Sequence, residues 1–502
     1  MNGNELRRQS VEVSGRPDIG MAPLPADGRG RAPCRRWWTA VLLACGAAAA
    51  CPTTTTADDR VEIGRMLFDH RWIANDPLSP FGDGLGPVHN ADSCVACHHL
   101  GGSGGAGGVE HNVDLLTLAP GKKDVTSSQR LTALQMRAGK IHPAFAPGRS
   151  AAATIVFHHF GTQPEYERWR LGVAGFKLPA DLDSERALVV RRTAAEKLAS
   201  DPPVADLPRK AGVTFQISHR NTPSLFGAGL IDSIADKKLL ELAKAQTKLS
   251  PRTAGRVART ADGNIGRFGW RGQVGTLHEF VVSACAMELG LENPSRRQAR
   301  NPLDPKASLA GDDLTAAQCD ALVAYVAALP APPPLEPESL QQADRVGHGE
   351  ALFASCGCVA CHVRDVGPVK GIYSDLLLHD LGVALADPVP ALNETGKGGE
   401  LPPSGGSAYG GGRISESLAE ASPERREWKT PPLWGIRDSA PYLHDGRART
   451  LTEAILAHAG QAETSANKFR GLDYLSRSHL LDFLNSLGQP SEEPADVADA
   501  AP

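Results

Sequence analysis

Residues Cys94–His99 read CVACHH, and residues Cys358–Val363 read CVACHV. A Cys-x-x-Cys pair alone could hold zinc or exchange disulfides. The histidine that follows each pair, and the recurrence of the whole motif, favour c-type haem attachment. Two thiols one helical turn apart reach the two vinyl groups as thioethers, and the next residue presents an imidazole to the iron. The expectation is two covalently bound haem c groups. Cys94 and Cys97 with His98 would hold the first, and Cys358 and Cys361 with His362 the second.

Each motif has the same preface, DRVEIGRMLF from Asp59 to Phe68 and DRVGHGEALF from Asp344 to Phe353. The repetition continues downstream. TPSLFG from Thr222 matches TPPLWG from Thr430, and GQVGTLHE from Gly272 matches GRARTLTE from Gly446. Each half then closes on apolar residues at helical spacing, in LTAAQCDALVAYVAALP and LSRSHLLDFLNSLGQP. In the prefaces, Val61, Gly64 and Leu67, like Val346, Gly349 and Leu352, recur every three residues. The central glycine would let another helix approach closely, so the first helix of each half is expected to cross the last.

The fold class expected is mainly α, as two tandem cytochrome c-type domains with the N-terminal one enlarged by insertions. The chain has 502 residues and 41% apolar content, enough for more than one core. The divisions read are a leader and spacer at 1–58, an N-terminal haem domain at 59–329, a proline-rich linker at 330–340, a C-terminal haem domain at 341–488, and a disordered tail at 489–502. The N-terminal half is lengthened at about 101–210 and 231–267. The C-terminal half carries a glycine-rich stretch from Asn393. A net charge of -4 gives no basic footprint and argues against nucleic acid as a partner. Arg35 and Arg36 precede the short apolar run WWTAVLLACGAAAA, which reads as an export signal and places the protein in the periplasm. Cys45 or Cys51 could carry a lipid anchor after cleavage.

The pattern from GLGPVHNADSCVACHHLGG through RNTPSLFGAGLIDSI, GRFGWRGQVGTLHEFV and YSDLLLHDLG to TPPLWGIRDSAPYLHDGRARTL resembles the di-haem oxidoreductase family. That family is similar to bacterial di-haem cytochrome c peroxidases and to the di-haem enzyme that matures methylamine dehydrogenase. Its members are often labelled thiol oxidoreductases, a label that does not suit cysteines claimed by haem. The resemblance implies peroxide reduction at the N-terminal haem, with electrons relayed by the C-terminal one from a partner such as a small cytochrome or a cupredoxin. It puts His458 where the peroxidases have the methionine that completes the C-terminal iron. Internal alignment puts Ala284 at the matching place in the first half, so that iron is open or capped from elsewhere. The histidines available are His111, His158, His159 and His219, with His158 the distal candidate. His99 and His379 are read as supporting partners of the haems. Trp270 matches a tryptophan between the haems and Glu288 the catalytic glutamate, while Phe280 replaces a glutamine of the pattern. Asn221, Ser439 and Pro441 match the ligands of a bridging calcium. The alternatives are a non-catalytic di-haem electron carrier and an oxidase acting on a protein. Of the remaining cysteines, Cys285 and Cys319 are expected to pair in an oxidising compartment, leaving Cys356 free.

Overall fold

Thr56 caps the opening helix Ala57–Asp69 through a reciprocal pair with Asp59, and Ser339 caps its counterpart Leu340–Cys356. In the computed structural model, which describes residues 56–119, 128–147, 152–198, 204–307, 311–388 and 423–488, these two helices cross the closing helices Ala316–Ala328 and Tyr474–Ser486. The crossings are made at the glycines. A Cβ on Gly64 would lie 2.0 Å from the Ala321 carbonyl oxygen, and one on Gly349 would lie 2.0 Å from that of His479. The expected frame is therefore present in both halves, with one backbone lying directly on another. The repeated T-L-x-E phrase also has one structural meaning, since Thr276 and Thr450 cap the helices Leu277–Glu288 and Leu451–Ala457.

This crossing yields a test. Gly347 lies in the same helix as Gly349, but a Cβ there meets nothing within 4 Å. Gly349→Ala should destabilise the protein by about 1–3 kcal/mol through overpacking. Gly347→Ala should stabilise it by roughly 0.5–1 kcal/mol through backbone entropy. Urea unfolding of the two variants, if it gave shifts of the same sign, would reject the close crossing.

The first insertion holds what the helical expectation missed. With the strand Phe215–Arg220 just beyond it, it folds into a four-stranded antiparallel sheet in the order Thr154–Val156, Val113–Leu118, Phe215–Arg220, Val204–Asp206. One face bears Leu116, Leu118, Phe215 and Ile217, which pack with Leu131, Leu134 and Phe145 into a separate core. The other face sets Val113 and Leu115 against Met287 of the helix Leu277–Glu288. The mostly helical expectation stands, with this sheet added to it.

The second insertion supplies the helix Asp236–Leu249, which reaches the C-terminal motif: Gln246 donates from Nε2 to the Ala360 carbonyl at 3.0 Å and to Asp375 Oδ2 at 2.8 Å. The largest apolar cluster likewise draws Val366, Val369, Ile372 and Trp434 in with Leu67, Phe226 and Val282. The two copies of the T-P-x-L-aromatic-Gly phrase touch directly. Trp434 Nε1 donates to the Phe226 carbonyl at 2.9 Å, and its ring occupies the space a Cβ on Gly227 would need. Cys285 and Cys319 do not pair: both are free thiols buried in this same cluster, where they pack as small hydrophobes on adjoining helices. Cys356 is also a free, buried thiol. The leader with Cys45 and Cys51, the glycine-rich stretch and the C-terminal tail lie outside the described residues.

Candidate haem and active site

Ser93 caps the short helix Cys94–Cys97, its side chain accepting from the Ala96 amide, and this holds the two thiols and His98 in one turn. The His98 ring sets Nδ1 3.1 Å from the Gly105 carbonyl oxygen, and the His362 ring sets Nδ1 2.9 Å from that of Tyr373. An imidazole anchored by Nδ1–H to a carbonyl presents Nε2 as its ligand atom in a fixed orientation. Burial pushes both rings down to about 4, more than the neighbouring carbonyls raise them, so each stays neutral and able to ligate near neutral pH.

The thiols do not suit the competing readings of a Cys-x-x-Cys. Burial pushes Cys94, Cys97 and Cys358 up to about 12. Disulfide exchange needs the reverse, a thiolate near neutral pH. A metal reading remains for Cys361, Asp375 and His379, whose ligand atoms lie within 4.8 Å of one another. Cys358 takes no part in that group, whereas a Cys-x-x-Cys zinc site uses both thiols. His379 is instead a hydrogen-bonded partner of the motif, with Nε2 2.9 Å from Asp375 Oδ2 and Nδ1 3.5 Å from Cys361 Sγ. Burial alone would lower His379, but Asp375 and Cys361 together outweigh it and the imidazole is raised to about 10.

The two halves differ on the other side of these histidines. His458 ends the helix Leu451–Ala457, turns Nδ1 to the Ala454 carbonyl at 2.7 Å, and lies within electrostatic reach of His362. Its anchoring mirrors that of the motif histidines and leaves Nε2 for a ligand. In the first half the corresponding helix offers Ala284, half-buried, and ends at Glu288. The Glu288 carboxylate accepts from Asn90 Nδ2 at 2.6 Å, and its charge reaches Cys97. Phe280 stacks on Phe268, with ring centroids 5.7 Å apart.

His158, the distal candidate, is buried, and its Nε2 lies 2.8 Å from the Met287 carbonyl oxygen, a hydrogen bond that ligation through that nitrogen would break. Its neighbour His159 takes a different path: the His159 amide donates to Asn90 Oδ1 at 2.9 Å, and its Nε2 lies 3.4 Å from Asp114 Oδ2. Asp114 also binds His219 Nδ1 at 2.8 Å and the Arg170 guanidinium. Asn90 thus links Glu288 to a group made of the half-buried His159 and the buried Asp114, His219 and Arg170. Sequence reasoning had His159 and His219 only as unsorted candidates and did not see Asn90, Asp114 or Arg170. Asp114 faces His219 in strand register, a pairing across 105 positions that carries no local signal.

Trp270 donates from Nε1 to the Asn221 carbonyl at 2.8 Å, and its own carbonyl accepts from the Lys429 amide at 2.9 Å, so it joins the two halves of the chain. Asn221 Nδ2 donates to the Pro441 carbonyl at 2.5 Å, and Asn112 Nδ2 to that of Asp445 at 3.1 Å. The side-chain oxygens of both asparagines are buried without a hydrogen-bond partner. The two asparagines come from separate segments but meet one turn, residues 441–445, and orphaned buried oxygens are donors that suit a hard cation. The Ser439 hydroxyl is spent on the Gly435 carbonyl at 2.6 Å, which leaves only its backbone oxygen for such a role. Beside this turn, Asp387 Oδ2 joins Arg220 at 2.6 Å and Arg271 at 2.7 Å. Both guanidiniums lie over the Trp428 ring, which stacks on His444 at 3.5 Å.

Residues 407–487 match the family described as "Di-haem oxidoreductase, putative peroxidase". Over 160 residues the chain is 27% identical to the hydrazine synthase subunit gamma of Kuenenia stuttgartiensis, an alignment that covers 30% of this chain and 44% of the subunit. The chain therefore spans less than half of that relative. Among solved structures, hydrazine synthase from the same organism, pressurised with xenon, aligns at 22% identity over 36% of this chain and 59% of its own, with a TM-score of 0.24. A MauG-like protein associated with microbial copper homeostasis aligns at 16% identity over 52% of this chain and 90% of its own, with a TM-score of 0.26.

Proposed function

We propose that this chain, whose C-terminal region matches the di-haem oxidoreductases, is an exported c-type oxidoreductase that reduces hydrogen peroxide in its N-terminal half and receives electrons through its C-terminal half. The observation that carries the reading is the asymmetry between two otherwise repeated sites: His458 stands opposite His362, whereas Ala284, Glu288 and Asn90 occupy the matching region of the first half. Haem, when attached, supplies the one-electron chemistry of iron. The protein's own part is to hold, shield and supply protons.

Cys94, Cys97, Cys358 and Cys361 would hold the two haems through thioethers, and His98 and His362 would ligate their irons. His458 closes the second site with a second imidazole, which favours a lower potential than methionine would. Glu288 holds or delivers a proton where a bound peroxide would be cleaved, and Asn90 orients its carboxylate. Trp270, hydrogen-bonded to both halves, is placed for electron passage between them. Arg220 and Arg271 offer cationic donors to carboxylates such as haem propionates. Asn221 and Asn112, with the carbonyls of Ser439 and Pro441, make the calcium site. The donor is a small cytochrome or cupredoxin, and the leader directs the protein to the periplasm, with Cys45 or Cys51 a point of lipid attachment.

The test is spectroscopic. Purified exported protein should carry two covalent haems, with one low-spin ferric centre and one high-spin centre that responds to peroxide. His458→Ala should convert the low-spin centre to high spin. Protein that shows only low-spin iron in every oxidation state and never consumes peroxide would be a di-haem electron carrier instead.

A further inference from the structure

We propose that His99, Glu110 and His111 form a surface site for a divalent late transition metal, zinc or copper, beside the first Cys-x-x-Cys-His turn, where His111 Nδ1 lies 3.7 Å from Cys97 Sγ and Nε2 is left to ligate. One ligand atom from each of the three lies within 4.8 Å of the others. The His99 ring sets Nδ1 3.0 Å from the Ala96 carbonyl oxygen, which fixes its orientation and leaves Nε2 to ligate. The His111 ring stands edge-on to it, with centroids 5.5 Å apart, and its Nε2 lies 3.7 Å from Glu110 Oε1. His99 and Glu110 are exposed and His111 half-buried, so the group is open to a metal arriving from solvent.

A second feature supports the same grouping. Gly108 has φ -69°, a conformation open to any residue, so no turn requires a glycine there. A Cβ at this position would nevertheless fall 2.4 Å from Glu110 Oε1 and 2.6 Å from Oε2. The missing side chain leaves room for the carboxylate to fold back beside the histidines. His111 is itself held by its backbone, since its carbonyl accepts from Thr222 Oγ1 at 2.9 Å.

Zinc and copper take imidazole nitrogen and carboxylate oxygen at roughly 2.0–2.2 Å, so the three atoms must draw together by small rotations of exposed side chains. Two imidazoles with one carboxylate favour these metals over magnesium or calcium, which prefer all-oxygen sites. Three protein ligands leave a fourth position for water or another donor.

The test uses untagged holoprotein titrated with zinc chloride by calorimetry, and with one equivalent of copper sulfate by electron paramagnetic resonance. One zinc should bind per chain, and the copper spectrum should show coupling to two imidazole nitrogens. His99→Ala should reduce that coupling to one nitrogen. Glu110→Gln and Gly108→Ala, which touch no attachment residue, should each weaken zinc binding by about 10-fold or more, in the range lost when even an outer partner of a metal site is removed. Failure of the unmutated protein to bind stoichiometric zinc, or binding that is unchanged in His99→Ala and Glu110→Gln, would overturn the assignment.

Discussion

Glu288→Gln is expected to lower peroxide turnover by about 10²–10⁴-fold, the usual contribution of a positioned general acid–base group. The substitution is nearly isosteric and keeps an oxygen to accept from Asn90 Nδ2, now 2.6 Å from Glu288 Oε2. Haem content and spin state should therefore stay as in the unmutated protein. The effect belongs to proton movement alone, and the measurement is steady-state peroxide consumption with a reduced donor, read beside the optical spectrum. Asn90→Ala should give a smaller loss because it frees the carboxylate to turn without removing it. Turnover that is unaltered in Glu288→Gln would take the carboxylate out of the reaction and leave the peroxidase reading without its proton donor.

Asp114→Ala is expected to cost about 3–5 kcal/mol in folding stability, because it strands the buried Arg170 guanidinium. Arg170 lies against Asp114 and over the Phe157 ring, and its Nε is bound to the His158 carbonyl at 2.8 Å. Burial would raise the Asp114 carboxyl, but hydrogen bonds from His159 and His219 and the charge of Arg170 outweigh it and hold it far below the usual carboxylate range. The folded state thus binds this proton less readily than the unfolded chain does. Its stabilisation is fully present above the unfolded carboxylate value of about 3.9 and is lost as pH falls below it. Denaturant unfolding of the two proteins should show a gap that is constant near neutral pH and narrows below about pH 4. A gap independent of pH would mean that the ion pairs contribute nothing and that only packing was lost.

The attachment motifs, the duplication and the crossing helices were legible in the sequence because each is encoded over short spans. Two thiols and a histidine share one turn, and Val61, Gly64 and Leu67 lie on one helical stripe, so spacing alone specifies what they can meet. The sheet was not legible. All six residues of Val113–Leu118 are buried, which removes the alternation by which a strand is recognised, and its central partner is Phe215–Arg220. Cys285 and Cys319 misled for a related reason: counting thiols says which ones remain, and packing decides whether they bond.

His458 lies between these cases. Its place in the repeat marked it as a ligand candidate, but the 2.7 Å contact that aims its ring appears only in the folded chain. Tertiary structure alone brought Asn90 to Glu288 across 198 positions, Asn221 to Pro441 across 220, and His158 to the Met287 carbonyl across 129. The sequence by itself determined the two Cys-x-x-Cys-His turns and the helical frame, since both depend on neighbours within a turn or two. The surroundings that distinguish the two motifs are made of contacts between distant segments, and only packing chooses among the partners that composition permits.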